Sequence, residues 1–291
     1  MSFAMSAVLA AAACSGAATV LQARAAQREP ARRGLDATLL VRLVRRPGYV
    51  IALALVAAGF ALSLYALRTL PLFVVQAGRA SSLAVTALLA VLLLRARLSR
   101  WEVGAVIAVV AGVVLLGAAA GASGSGAVPA GTRLGLLVAL IVVAAAGGAA
   151  TKIRSIASSG LVLGALAGAS FAILALGARI LKGFEPATLV VDPAAWAIGV
   201  GGALGLLLAA MALQRASVVG ATAPMVATET VLGAALGMAL CGDRPVPGSA
   251  FAAALGFTLV LAGALSLARF SALDRITTAS ESLPAPVDDR R

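Results

Sequence analysis

Apolar positions along this chain fall in long, nearly unbroken runs. They show neither the alternation of a half-buried strand nor the narrow stripe of a soluble amphipathic helix. A helix that crosses a bilayer core needs about 17 to 25 mostly apolar residues. Nine runs meet that requirement, near 3–23, 50–67, 71–94, 102–119, 134–150, 160–181, 194–213, 218–241 and 249–268. The pattern predicts an all-α, polytopic membrane protein of about nine transmembrane helices. The first run follows "MSFAM", which carries no basic side chain, and it is long for the apolar region of a signal peptide, so it is read as a span. "AAAC" before Ser15 lacks the Leu three places earlier that usually accompanies a lipoprotein cysteine.

Polar residues are confined to the joints, and their charge sets an orientation. Arg24, Arg28, Arg32, Arg33, Arg42, Arg45 and Arg46 follow the first span, and further basic residues follow the third, fifth, seventh and ninth. The opposite joints hold only Arg68, Arg133, Arg179, Lys182 and Arg244. By the positive-inside rule the N-terminus lies outside and the C-terminus in the cytoplasm of a plasma-membrane protein. Segment 117–133, "GAAAGASGSGAVPAGTR", reads as a flexible outer linker. The polar tail from Ser271 reads as disordered. Within 24–46, "DATLLVRLVRR" suits a short interfacial helix or a solvated basic loop.

Composition agrees with the pattern: 62% of residues are hydrophobic and 12% charged, with mean hydropathy +1.05. A soluble domain carries about 25% charged residues. The formal charge of +12 sits between apolar runs without aromatic platforms, which gives no footprint for nucleic acid. The chain has no histidine, and its two cysteines, Cys14 and Cys241, make no metal spacing. These features speak against a metal centre, a cofactor and an enzyme. The partners expected are the lipid bilayer and a small-molecule or ion substrate, and a homodimer is permitted.

The two halves of the chain echo each other. "SGAATVLQARA" (15–25) matches "SFAILALGARI" (170–180), and "YALRTLPLFVV" (65–75) matches "MALQRASVVGA" (211–221). "LLLRARLS" (92–99) falls over "ALCGDRPV" (239–246), and "VVAGVVLL" (109–116) over "LVLAGALS" (259–266). The matches divide the chain into a first four-helix repeat, 1–119, and a second, 159–268. An outer linker and one central helix occupy 120–158, and the tail is 269–291. A single helix between two four-span units inverts the second, so a 4+1+4 chain forms inverted repeats, the geometry that supports alternating access.

The stretch "ALRTLPLFVVQAGRASSLAVTALLAVLLLRARLSRWEVGAVIAVVAGVVLL" (66–116), with its second copy "ALQRASVVGATAPMVATETVLGAALGMALCGDRPVPG" (212–248), resembles the drug/metabolite transporter (DMT) superfamily in its EamA-like branch. That family has a Gly-Glu-Arg-like turn after its long apolar helix. "LRARLS" lacks the acid, whereas "CGDRPV" keeps Asp243 beside Arg244. The nine-span arrangement with an Arg-rich loop after the first span is similar to the NIPA magnesium-transporter branch. The resemblance implies a secondary transporter, with Mg²⁺ movement implied by the NIPA-like features.

Two ionisable residues fall deep inside predicted spans, Arg79 and Glu229. At 1.5 Å per residue Arg79 lies about 12 Å, and Glu229 about 14 Å, from the outer side of a core about 30 Å thick. An isolated charge costs several kcal/mol there, so opposite charges at matching depth are expected partners. Gln76, Ser82 and Thr86 share the helical face of Arg79, and Thr222 and Met225 that of Glu229. These seven residues form the expected substrate-binding set; a purely structural Arg79–Glu229 bridge between the repeats is the alternative. Pro224 would free a backbone carbonyl near Glu229. The glycine ladders Gly160–Gly164–Gly168 and Gly201–Gly205 read as packing faces. Trp101 and Trp196 read as interfacial anchors, Arg179 as a snorkelling side chain, and Asp243 with Arg244 as a turn pair.

The function expected is transport of a small solute, anionic or zwitterionic to suit Arg79. A Mg²⁺ transporter of NIPA type is the alternative within transport. One deep carboxylate beside an arginine makes a poor cation site, however. A transport-inactive membrane scaffold is the alternative outside it; a polar cavity at mid-depth would disfavour a scaffold.

Overall fold

Long stretches of Leu, Ala and Val without proline or polar breaks have little choice in a membrane but to satisfy their backbones as helix. The computed structural model describes residues 2–26, 28–29, 38–68, 70, 72, 74–75, 78, 82, 100–119, 128–129, 131–181, 183, 185–216 and 218–281. These contain ten helices: α1 (Ser2–Ala26), α2 (Thr38–Val44), α3 (Pro47–Leu67), α4 (Arg100–Ala118), α5 (Thr132–Ala150), α6 (Ile156–Ile180), α7 (Pro186–Val191), α8 (Pro193–Arg215), α9 (Val218–Leu240) and α10 (Ala250–Glu281). Local signals set several boundaries. Pro47 and Pro193 open α3 and α8, where a missing N–H costs nothing. The Asp192 side chain caps α8 by accepting from Ala194 N at 2.9 Å. Ser155 caps α6 by accepting from Ser158 N at 3.3 Å.

Six of these helices, α1, α3, α5, α6, α8 and α9, are long and apolar enough to cross a membrane. They coincide with six of the nine expected spans. Two more expected spans, 102–119 and 249–268, appear as shorter apolar stretches, Val103–Leu116 and Ala250–Gly263, within α4 and α10. Most of the expected span 71–94 lies outside the described residues. The basic joint does contain a helix: α2 buries Leu39 and Leu43, and Arg42 and Arg46 reach Glu29 at 3.3 and 3.0 Å. At the far end α10 runs to Glu281, past Ser271 where composition predicts disorder, because no proline or glycine stops it before Pro284.

The helices pack in a definite pattern. α6 lies centrally against α8 and α9, α1 packs on α3, α4 on α10, and α5 covers α6 and α8. Polar contacts fix which ends lie together. Glu29 after α1, Arg46 before α3, the start of α6 and the end of α8 form one end of the bundle. The end of α3, the end of α6 and the segment after α9 form the other. Among the described helices each sequence-matched pair therefore runs in opposite directions: α1 against α6, α3 against α8, α4 against α10.

Glycine makes the crossings close. A Cβ at Gly160 would sit 2.7 Å from the Ala216 Cβ. Those at Gly164 and Gly168 would strike the Ala221 and Met225 carbonyl oxygens of α9. In α4, Gly112 meets the Gly256 carbonyl and Val260, while Gly263 of α10 meets the Ala105 carbonyl and Val109. The offset that carries Gly112 to Gly263 also carries Ala105 to Gly256 and Val109 to Val260. That contact is self-complementary, as a two-fold relation requires. Lipid is as apolar as these side chains, so van der Waals contact between closely approaching backbones holds the pairs.

Gly164→Leu should push α6 off α9, lowering stability by about 1–3 kcal/mol or more and the detergent melting temperature with it. Gly135→Leu, where an added Cβ meets nothing within 4 Å, should leave the melt unchanged.

Candidate functional site

Glycine at the crossings keeps backbones close, but between the halves the helices leave a space. There a cavity of about 120 Å³ opens among α1, α3, α6, α8, α9 and Ser82. Its polar side is built by Ser15, Thr19 and Gln22, spaced on one face of α1, facing Thr222, Glu229 and Thr230 of α9. Its apolar side is Val56, Phe60, Phe171, Leu174, Leu206 and Val226. The Thr19 hydroxyl donates to the Ser15 carbonyl at 2.9 Å and that of Thr230 to the Val226 carbonyl at 2.7 Å. Both hydroxyls then present oxygen lone pairs rather than donors to the cavity. The space continues as a smaller pocket between Gln22, Leu213 and Ala221, toward the end where α1 and α8 finish.

Of the expected site residues, Ser82, Thr222, Met225 and Glu229 line this one cavity. Ser82, Thr222 and Glu229 are buried, and each takes part in a polar or electrostatic interaction. Gln76, Arg79 and Thr86 lie outside the described residues, and so does the expected Arg79–Glu229 pair. Pro224 sits inside α9, where it removes the N–H that would bond to the carbonyl four residues back, and it packs against Gly164.

The sequence did not single out Ser15, Thr19, Gln22, Phe60, Phe171 or Thr230. Uncharged polar residues scarcely perturb hydropathy, and Phe reads as core. The repeat match over Ser15 and Ser170 was the available pointer to this face of α1. Ser170 turns the other way, donating to the Gly201 carbonyl at 2.9 Å to fasten α6 to α8.

At the opposite end lies a second polar cluster. The Arg179 Nη2 is 3.4 Å from Asp243 Oδ1, with side chains only 10% and 0% exposed. Arg179 Nη1 also donates to the Leu67 carbonyl, and Asp243 Oδ2 accepts from Leu72 N at 2.7 Å. This revises two expectations. Arg179 is not a snorkelling end residue, and the partner of Asp243 is Arg179 rather than the exposed Arg244. The reason is the turn after α9. Gly242 takes φ +68°, a conformation that favours glycine, and brings Asp243 N back to the Gly237 carbonyl at 3.2 Å. The carboxylate is thereby aimed inward, and Gly237, without a Cβ, leaves room for it beside Leu72. The cluster ties residues of the first half (Leu67, Leu72) to residues of the second (Arg179, Asp243). Beside it lies the buried thiol of Cys241.

No family model, curated protein or solved structure matches this chain. Among the described residues no group of three or more Cys, Asp or Glu is placed to hold a metal ion.

Removing one member of a buried ion pair strands the other and costs about 3–5 kcal/mol. Arg179→Ala should therefore melt lower than the double variant Arg179→Ala with Asp243→Asn.

Proposed function

We propose that this chain is an integral membrane transporter of the plasma membrane. It moves a small solute by alternating access between two inverted four-span halves, 1–119 and 159–268, joined through the helix at 134–150. The N-terminus lies outside and the C-terminus in the cytoplasm. The observation that carries this reading is the mid-bundle cavity, whose polar and apolar walls come from both halves. A scaffold has no need of a buried cavity that gathers Gln22, Thr222 and Glu229 from different helices, since unfilled polar space in a membrane interior costs stability. Substrate sites at a repeat interface near the midplane are the signature of inverted-repeat transporters.

The Arg179–Asp243 end supports the same reading, although a pocket lined by Leu64, Leu67, Arg68, Ala178, Arg179 and Leu181 opens beside it. The Arg179–Asp243 cluster joins the halves on the proposed outer side, while the cavity extends toward the proposed inner side. The chain is then in an inward-facing arrangement, with the cluster as the outer latch. The opposed directions of the sequence-matched helices and the self-complementary α4–α10 crossing support inversion, as does the resemblance of 66–116 and 212–248 to the drug/metabolite transporter superfamily. The described lining offers one carboxylate among amide, hydroxyl and apolar groups. Such a lining suits an organic solute better than Mg²⁺, which asks for one or two carboxylates and ordered water.

Alternation can be tested without knowing the solute. In Cys14→Ser protein reconstituted in liposomes, Ala209→Cys reports on the cavity and Cys241 on the latch. With the latch intact, membrane-impermeant maleimide should label Ala209→Cys from the inner side and spare Cys241. Adding Arg179→Ala should raise Cys241 labelling from the outer side while Ala209→Cys labelling from the inner side falls. A rise at Cys241 with Ala209→Cys unchanged would mean local fraying, not alternation, and would refute the transporter reading.

A further inference from the structure

Gln22 is the least settled group in the cavity. Its residue is 9% exposed, it lines both the main cavity and the narrower pocket beside it, and its Nε2 has no hydrogen-bond partner among the described residues. A buried amide nitrogen left unpaired costs about 1–3 kcal/mol. A helical face at this position would be more stable with leucine. The penalty makes sense if a ligand relieves it.

We infer that Gln22 is the cargo-selecting residue of the cavity, and that the cargo is a small, uncharged, amide-bearing solute with an apolar body: a carboxamide, urea or lactam. This rests on the transporter reading and narrows it. The Gln22 Nε2 donates to the cargo carbonyl. The adjacent cargo N–H groups meet the oxygen lone pairs that Thr19 and Thr230 turn to the cavity, their own protons being committed to backbone carbonyls. The apolar body lies against Phe60, Phe171 and Val226. An amide carries acceptor and donor side by side, which a lining of one amide donor and several oxygen acceptors matches group for group.

Charge on the cargo is disfavoured by the same lining. Glu229 is buried and takes part in an interaction within the protein. An anion would be set against it. Desolvating an ion costs far more than desolvating an amide. The anionic or zwitterionic cargo expected from Arg79 rested on a residue outside those the structure describes.

Three probes of nearly equal shape separate the classes: isovaleramide (neutral amide), isovalerate (anion) and isopentylammonium (cation). Their equilibrium binding to the purified full chain is read by calorimetric titration, with thermal melts of the ligand-free protein alongside. Isovaleramide should bind saturably in the millimolar range and the two ions at least tenfold more weakly. Gln22→Leu should lose at least tenfold in isovaleramide affinity while its ligand-free melting temperature stays level or rises, because an unpaired donor is gone. A Gln22 with a merely structural role would lower the melt instead. Gln22→Asn, which keeps the amide but draws it back by one methylene, should bind between the two.

The inference is overturned if either ion binds as well as the amide, if Gln22→Leu binds isovaleramide as the natural chain does, or if no isovaleramide binding is seen up to its solubility limit. Each of those results leaves the Cys241 and Ala209→Cys labelling test standing on its own, so the cargo class and the transporter reading fail separately.

Discussion

In a bilayer interior, apolar side chains gain little by exchanging lipid for one another, so the contact between α6 and α9 has to come from backbone approach. Gly164 and Gly168 provide it by letting α9 lie with its carbonyls against the α6 backbone, while Gly160 admits the end of α8 at Ala216. That close crossing fixes the position and rotation of α9, which carries Thr222, Glu229 and Thr230 into the cavity and, past its end, Asp243 into the buried cluster. The small residues are therefore the scaffold on which the polar chemistry is mounted. Widening one of them displaces the site as well as the packing.

The buried polar groups divide by end. At one end Arg179 and Asp243 satisfy each other and the backbone of residues 67–72. Their desolvation is offset by several hydrogen bonds in fixed geometry. In the middle, Gln22 keeps an unpaired donor and the threonines keep oxygen lone pairs. One cluster is self-sufficient and holds the halves together; the other is incomplete and open to a ligand. This contrast between a polar end whose groups satisfy one another and an unfilled polar middle is the physical basis for proposing a transporter in one of two states.

The hydrophobic runs made most of the helices legible, since a run of some twenty apolar residues has few other fates in lipid. The glycine ladder on α6 was legible for the same reason: spacing of four places small residues on one face. The pairing of Arg179 with Asp243 was not. It depends on a left-handed Gly242 that turns the chain back after α9, and on two helix ends far apart in sequence meeting at one end of the bundle. Half of the α1–α9 face was found through Glu229, a charge that hydropathy exposes. Ser15, Thr19 and Gln22 escaped because uncharged polar residues within an apolar run leave little trace in a pattern of hydrophobicity.

In the proposed mechanism the two halves are separable bodies held in one state by the Arg179–Asp243 cluster. The most direct measurement is a spin-label distance across that end, between Arg68→Cys after α3 and Arg244→Cys after α9, in a Cys14→Ser, Cys241→Ser background. With the cluster intact the pair should give one narrow, short distance. With Asp243→Asn a second, longer population should appear at the expense of the first. An unchanged distribution in a folded Asp243→Asn protein would mean that the cluster holds nothing shut and that the two halves do not alternate about it.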